Sequence, residues 1–365
     1  MFGLYSRALF FWLILFELIA GWRRWWGLSW LGPKLPRALL LPSLMGLRGR
    51  RASMGGWLAS LALALPPALL FQIAAGSLRN PRLNPLLRLR PGHYQRYTIE
   101  RLDIPMREGH LPALHVVPRG GASAVVCVVH GSGCDKTSYA WRLVDTLIER
   151  GLALLLIDLD GHGESPRAQS FPAITEDAGV AVAWLRARYG RVALLGVSLG
   201  GCVTARAVAD GVVVDALAVL EAPPLLHYTQ ADVYREAIAL ARPYLLDIFN
   251  DCTAQALIKA WEYPPIRAAI STWDLIAALD VSGSLARIAT PLLLIYGASD
   301  AIVKPAQAAH VWAALPAHAV FHLVPGASHL TLILTPQALQ IVGQWLETTL
   351  LTDQPRQTTH SESRR

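Results

Sequence analysis

The stretch RVALLGVSLGGCVTARAVAD, Arg191–Asp210, decides how this chain is read. Five of the six residues from Val192 to Val197 are apolar, the run breaks at a turn of small residues around Ser198, and a helical pattern follows. That is the strand–turn–helix context in which G-x-S-x-G, here Gly196-Val197-Ser198-Leu199-Gly200, acquires a chemical meaning. The turn strains the serine backbone, and side chains at the glycine positions would collide with the neighbouring strand and helix. In return the Ser198 hydroxyl stands clear of the sheet. The N–H of Leu199 opens a helix N-terminus, where negative charge is stabilised.

A serine hydroxyl is a weak nucleophile until a base takes its proton, and the base needs a carboxylate to orient it. Downstream, the apolar run Pro291–Tyr296 ends in Gly297-Ala298-Ser299-Asp300, and the run Ala319–Val324 ends in Pro325-Gly326-Ala327-Ser328-His329. Each candidate follows a predicted strand, where open parallel sheets keep their ligand-handling loops. Glu221, after the run Val214–Leu220, is an alternative carboxylate. Acyl transfer also builds negative charge on a carbonyl oxygen and needs donors for it. The strand Ala124–Val129 leads into His130-Gly131-Ser132-Gly133, so the Ser132 N–H is expected to act beside that of Leu199, with Gly133 as a rival. The strand Leu152–Asp158 leads into Asp160-Gly161-His162-Gly163-Glu164-Ser165. His130 and His162 read as structural residues that tie neighbouring loops together.

In their order and spacing HGSG, DGHGES, GVSLGG, GASD and GASH resemble the α/β-hydrolase fold family over roughly Tyr97 to Leu350. The resemblance implies a mostly parallel sheet with helices on both faces, Ser198 as nucleophile, His329 as base and Asp300 as acid. A serine nucleophile argues against the dehalogenase and epoxide-hydrolase relatives, which need aspartate there. The resemblance also implies a helical cap over the active site at about residues 222–288. There the strand pattern lapses into helical text with Tyr228, Tyr234, Tyr244, Phe249, Trp261, Tyr263 and Trp273. Those aromatics suit an apolar acyl substrate or the cap's own small core equally well.

Charge is unevenly spread. Residues 1–96 hold thirteen Lys/Arg and one acid (Glu17), whereas residues 97–365 hold twenty Lys/Arg and twenty-five Asp/Glu. The overall +7 is therefore no property of the catalytic part, and a nucleic-acid partner is not expected. In residues 1–76 basic clusters flank greasy segments, Ala8–Trp22 and the uncharged Met54–Gly76, which suits membrane lipids. At about 1.5 Å per residue the second is long enough to cross a bilayer of roughly 30 Å. Read from Met45, the same text resembles a secretory leader, with a basic region, an apolar run and small residues after it. Membrane localisation is expected, and the side on which the catalytic domain lies stays open.

Residues 77–96 read as a Pro-rich linker, 97–350 as the hydrolase domain and 351–365 as a disordered tail. The antiparallel entry strands are Tyr97–Asp103 and Leu111–Val117. Covering helices are expected at Thr137–Arg150, Ile174–Tyr189, Pro305–Leu315 and Pro336–Leu351. Cys127, Cys134, Cys202 and Cys252 lack metal spacing and a disulfide pattern, and neither a metal nor a cofactor is expected. These features lead to a serine hydrolase of carboxylic esters, lipid esters and thioesters included, acting on a small or lipid-like acyl substrate. A peptidase or amidase of the same fold and a non-catalytic membrane adaptor are the rival readings.

Overall fold

A computed structural model describes residue 89 and residues 91–138, 140–246, 266–313 and 315–352. The segments expected in residues 1–76 lie outside these. Among the described residues no helix is long and apolar enough to cross a membrane. The chain divides into two compact units, residues 91–236 with 265–365, and residues 1–90 with 237–264. The sheet and the candidate site lie in the first.

Nine strands form one sheet: β1 Gly92–His93, β2 Tyr97–Pro105, β3 His110–Pro118, β4 Ala124–Val129, β5 Ala153–Ile157, β6 Arg191–Val197, β7 Ala216–Leu220, β8 Leu292–Gly297 and β9 Val320–Val324. Their order is β1-β2-β3-β5-β4-β6-β7-β8-β9. The first three and the β3–β5 pair are antiparallel, and the rest of the sheet is parallel. The linker reading of residues 77–96 runs too far, because Gly92 and His93 pair with Ile99 and Thr98.

Strands β4, β5, β7 and β8 are buried at every position and β6 at all but Arg191, as their near-continuous apolar runs require of a sheet covered on both sides. Successive side chains alternate faces. Val125, Cys127 and Val129 of β4 share one apolar cluster with Leu194, Leu217, Val219, Leu292 and Leu294. The helices α2 (Ile174–Arg186), α3 (Leu199–Ala209), α5 (Thr272–Leu279) and α6 (Val281–Ala286) fill it. The intervening Val126, Val128, Ala193, Leu195, Ala218 and Leu293 are buried too. On that side α1 (Ala140–Ile148) and α8 (Pro336–Leu351) pack against each other and the sheet. The remaining helices are α4 (Gln230–Leu246) and α7 (Pro305–Ala313).

The first covering helix begins later than its apolar pattern suggests. The Asp135 carboxylate accepts from the Thr137 N–H at 2.7 Å and the Thr137 hydroxyl at 2.6 Å, while Ser138 Oγ accepts from the Asp135 N–H at 2.8 Å. Side-chain bonds of this kind offer the backbone a turn in place of a helix.

One buried histidine outside the site sets an acid limit on stability. His115 on β3 bonds the Tyr189 hydroxyl at 2.7 Å and meets the Trp184 ring edge-on. Burial, with Arg188 adding to it, pushes its pKa down to about 4. The folded chain therefore keeps His115 neutral, while the unfolded chain binds a proton below about pH 6.5. Stability contributed by this residue is present above that pH and is lost as pH falls towards 4. His115→Phe should melt below the wild type at pH 7.5, and the gap should narrow by pH 4.5. A gap in Tm that stays constant would contradict this assignment.

Candidate active site

Register brings the expected residues to one end of the sheet. Val129 of β4 lies opposite Gly196 of β6, so the HGSG loop and the G-x-S-x-G turn leave neighbouring parallel strands side by side. The chain crosses from one side of β4 to the other here, since β5 and β6 flank it. Such a switch point opens a crevice at the strand ends. Ser198 sits in the turn at φ 51° and ψ −116°. Its N–H is held by the Leu220 carbonyl at 2.8 Å. A non-glycine residue at positive φ persists only where its surroundings over-determine it.

Ser198 Oγ lies 3.0 Å from His329 Nε2, and His329 Nδ1 lies 2.8 Å from Asp300 Oδ2. The other oxygen of Asp300 accepts the N–H groups of Ile302 at 2.8 Å and Val303 at 2.6 Å. The acid is thus locked with one oxygen facing the imidazole. Both its side chain and that of His329 are shielded from water.

Glu221, the alternative carboxylate, lies close by and is built differently. It follows β7 at φ 54°, it is fully buried, and among the described residues neither carboxyl oxygen has a hydrogen-bond partner. Burial, with the charges of Asp300 and Glu236 adding to it, holds its pKa well above the usual carboxylate range. A neutral carboxyl stands behind the bonded pair. Ligand atoms of Glu221, Asp300 and His329 lie within 4.8 Å of one another, a spacing that could hold a cation. His329 Nδ1 and both oxygens of Asp300 are, however, already engaged.

The expected oxyanion donors are placed as follows. Leu199 is the first residue of α3, where N–H groups lack partners within the helix. Ser132 lies in the turn closed by the Cys134 N–H on the Gly131 carbonyl at 3.1 Å, with Gly133 at φ 71°. Gly200 lets the two loops approach, because a Cβ there would overlap the Val129 carbonyl and come within 2.6 Å of the His130 oxygen.

His130 ties two loops together as its position suggested, whereas the hydrogen bond of His162 stays within its own loop and only its ring meets His130. His130 Nε2 accepts from the Leu159 N–H at 3.1 Å, which leaves Nδ1 to donate to the Gly131 carbonyl at 2.8 Å; one neutral tautomer serves both bonds. His162 bonds the Asp160 carbonyl through Nδ1, and burial beside His130 pushes its pKa down to about 4. Cys127 and Cys202 are buried thiols whose pKa burial raises, so neither is a nucleophile.

Two features escaped the reading of the residues alone. Lys136, just beyond HGSG, donates from Nζ to Asp158 at 2.5 Å and Glu164 at 2.8 Å, which fastens the two glycine-rich loops to each other. The buried Asp158 after β5 was its one legible trace. Glu236 accepts the Ala301 N–H at 2.8 Å and the Leu330 N–H at 3.1 Å. No motif marks it.

The comparisons with known proteins bear on the fold and the family. A protein of Mycobacterium tuberculosis (strain ATCC 25618 / H37Rv), Rv2307c, whose name gives no activity, is 30% identical over 219 residues. That match covers 58% of this chain, and the chain spans 64% of the relative's length. Among solved structures, DcsB in complex with its substrate analogue superposes with a TM-score of 0.54 at 18% identity, covering 69% of this chain and 98% of that one. The Pyrococcus furiosus esterase PF2001 gives a TM-score of 0.52 at 19% identity, covering 72% of this chain and 97% of that one. These two likenesses concern the fold. The family model Hydrolase_4, described as "Serine aminopeptidase, S33", matches residues 120–334, more than half of the chain. The chain belongs to that family and has the α/β-hydrolase fold.

Proposed function

We propose that the protein is a serine hydrolase that cleaves carboxylic esters through an acyl-enzyme. The observation that carries the reading is the bonded line Ser198–His329–Asp300, with the serine held at positive φ. In this reading His329 Nε2 takes the Ser198 proton as Oγ attacks the acyl carbon. The Leu199 and Ser132 N–H groups receive the charge on the carbonyl oxygen, and His329 then returns the proton to the leaving alkoxide. Asp300 stabilises the imidazolium through the bond between its Oδ2 and His329 Nδ1. Water repeats the sequence on the acyl-enzyme and releases the acid.

The family description names an aminopeptidase, and that is the second reading. An aminopeptidase must hold a substrate ammonium, which calls for a free carboxylate. Of the two glutamates buried beside the triad, Glu221 is held neutral and Glu236 has both oxygens on backbone N–H groups. Neither suits that task, which favours esters. Tyr228 and Trp273, from the chain between β7 and β8, stack with ring centres 4.8 Å apart and supply apolar surface of the kind an acyl chain favours. A membrane-associated cap enzyme acting on lipid-like esters fits both this surface and the basic, apolar residues 1–76.

The test is fluorophosphonate labelling of the full chain from membrane and soluble fractions. It is followed by p-nitrophenyl esters of two to sixteen carbons against aminoacyl p-nitroanilides. Labelling recovered mainly from membranes, lost in His329→Ala, and a higher kcat/KM on esters are expected. A folded wild type that takes no label sinks the hydrolase reading, and preference for the anilides replaces it with the aminopeptidase.

A further inference from the structure

Glu236 is 2% exposed and uses both carboxylate oxygens, one on each of the two loops that carry the acid and the base. Oε1 accepts the N–H of Ala301, the residue after Asp300; Oε2 accepts the N–H of Leu330, the residue after His329. Of the three successive N–H groups that follow Asp300, the first goes to Glu236 and the next two to Asp300 itself. The loop is therefore wrapped between two carboxylates. On the other side, only one peptide separates the Leu330 N–H from His329. Charge-assisted bonds of this kind are among the stronger ones in proteins, and a buried carboxylate must have them.

We infer that Glu236 is a positioning residue of the Ser198–His329–Asp300 system, clamping the acid loop to the base loop so that Asp300 Oδ2 stays in line with His329 Nδ1. The inference rests on the hydrolase reading above. Asp300 and Glu236 both act on the buried Glu221, and the backbone divides the labour among these three carboxyls. Asp300 receives two N–H groups and the histidine, Glu236 receives two N–H groups, and Glu221 receives none and is held neutral. Nearby Lys304 pairs with the buried Asp232 at 3.0 Å, which ties the start of α4 to the acid loop a second time. The charged and titratable groups around Glu236 are thus Asp300 and Lys304 of the acid loop, His329 of the base loop, Glu221 after β7, and Asp232 and Arg235 of its own helix.

Glutamine at 236 keeps the shape, loses the charge and can accept only one of the two N–H groups. For Glu236→Gln the rate constant of fluorophosphonate inactivation and the ester kcat should fall roughly 10–100-fold, with KM within about twofold. The acid limb of the rate–pH profile should move to lower pH, because a negative charge that favours the imidazolium is gone. Glu236→Asp, which keeps the charge, should restore the limb while remaining slower than wild type. If the glutamine variant does not fold, the aspartate variant decides alone: a lower rate with the limb in place supports the clamp, and the wild-type rate overturns it. Folded Glu236→Gln with unchanged rate and limb, or with a loss confined to KM, overturns the inference while wild-type labelling leaves the hydrolase reading standing. Absence of Ser198-dependent labelling in the wild type overturns both.

Discussion

Ser198→Ala should lower kcat on any ester the protein cleaves by roughly 10⁶-fold, and Asp300→Asn by about 10⁴-fold, while Glu221→Gln stays within about tenfold. KM should change little in all three, because each group is proposed to act on the transition state. The serine loss follows from Ser198 being the hydroxyl that, among the described residues, bonds His329 Nε2. The asparagine loss follows from geometry. Asp300 Oδ2 faces His329 Nδ1 at 2.8 Å, while Oδ1 is committed to two backbone N–H groups. An amide must keep its oxygen on those donors, so its NH2 faces Nδ1 and selects the wrong tautomer. Glutamine at 221 replaces a carboxyl already held neutral by burial and by two nearby charges, so the electrostatics change little. Steady-state kinetics on the three variants decides the matter. A Glu221→Gln loss exceeding that of Asp300→Asn would transfer the acid's role to Glu221.

That comparison also marks where the residues alone stopped being informative. Both carboxylates follow apolar strands at plausible places, and position in the chain cannot say which faces the imidazole. What separates them is the supply of backbone donors: the loop after Asp300 turns back on its own carboxylate, whereas Glu221 finds no hydrogen-bond partner among the described residues. The strands were legible because parallel strands buried on both faces must be nearly all apolar, and β4, β5, β7 and β8 are so without interruption. The start of α1 was not, because Asp135 takes the N–H and the hydroxyl of Thr137, which an apolar pattern assigns to a helix. Glu236 was invisible for a different reason. Its partners are backbone N–H groups 65 and 94 residues away, and backbone groups carry no sequence signal.

Gly200→Ala should destabilise the fold by about 3 kcal/mol or more, lowering Tm by roughly 6 °C or beyond, and should cost labelling in whatever fraction stays folded. The added methyl meets backbone, the Val129 and His130 carbonyls, rather than the movable end of a side chain. Relief requires α3 to retreat from the end of β4. But α3 is pinned behind: Gly201 would itself place a Cβ 2.9 Å from Ala222, and the Gly200 carbonyl lies against Gly196. The helix can move only by taking Leu199 with it, and the Leu199 N–H would then leave the Ser132 loop it is proposed to work beside. Removal of one oxyanion donor costs about 10²–10³ in kcat, so the folded fraction should label that much more slowly. Gly190→Ala is the matched control, since nothing lies within 4 Å of a Cβ there, and its Tm should stay near the wild type. Thermal melts and labelling rates on the two variants separate the effects. A Gly200→Ala protein as stable and as reactive as Gly190→Ala would mean that α3 does not need its close seat on β4, and that the two proposed donors are not held together by it.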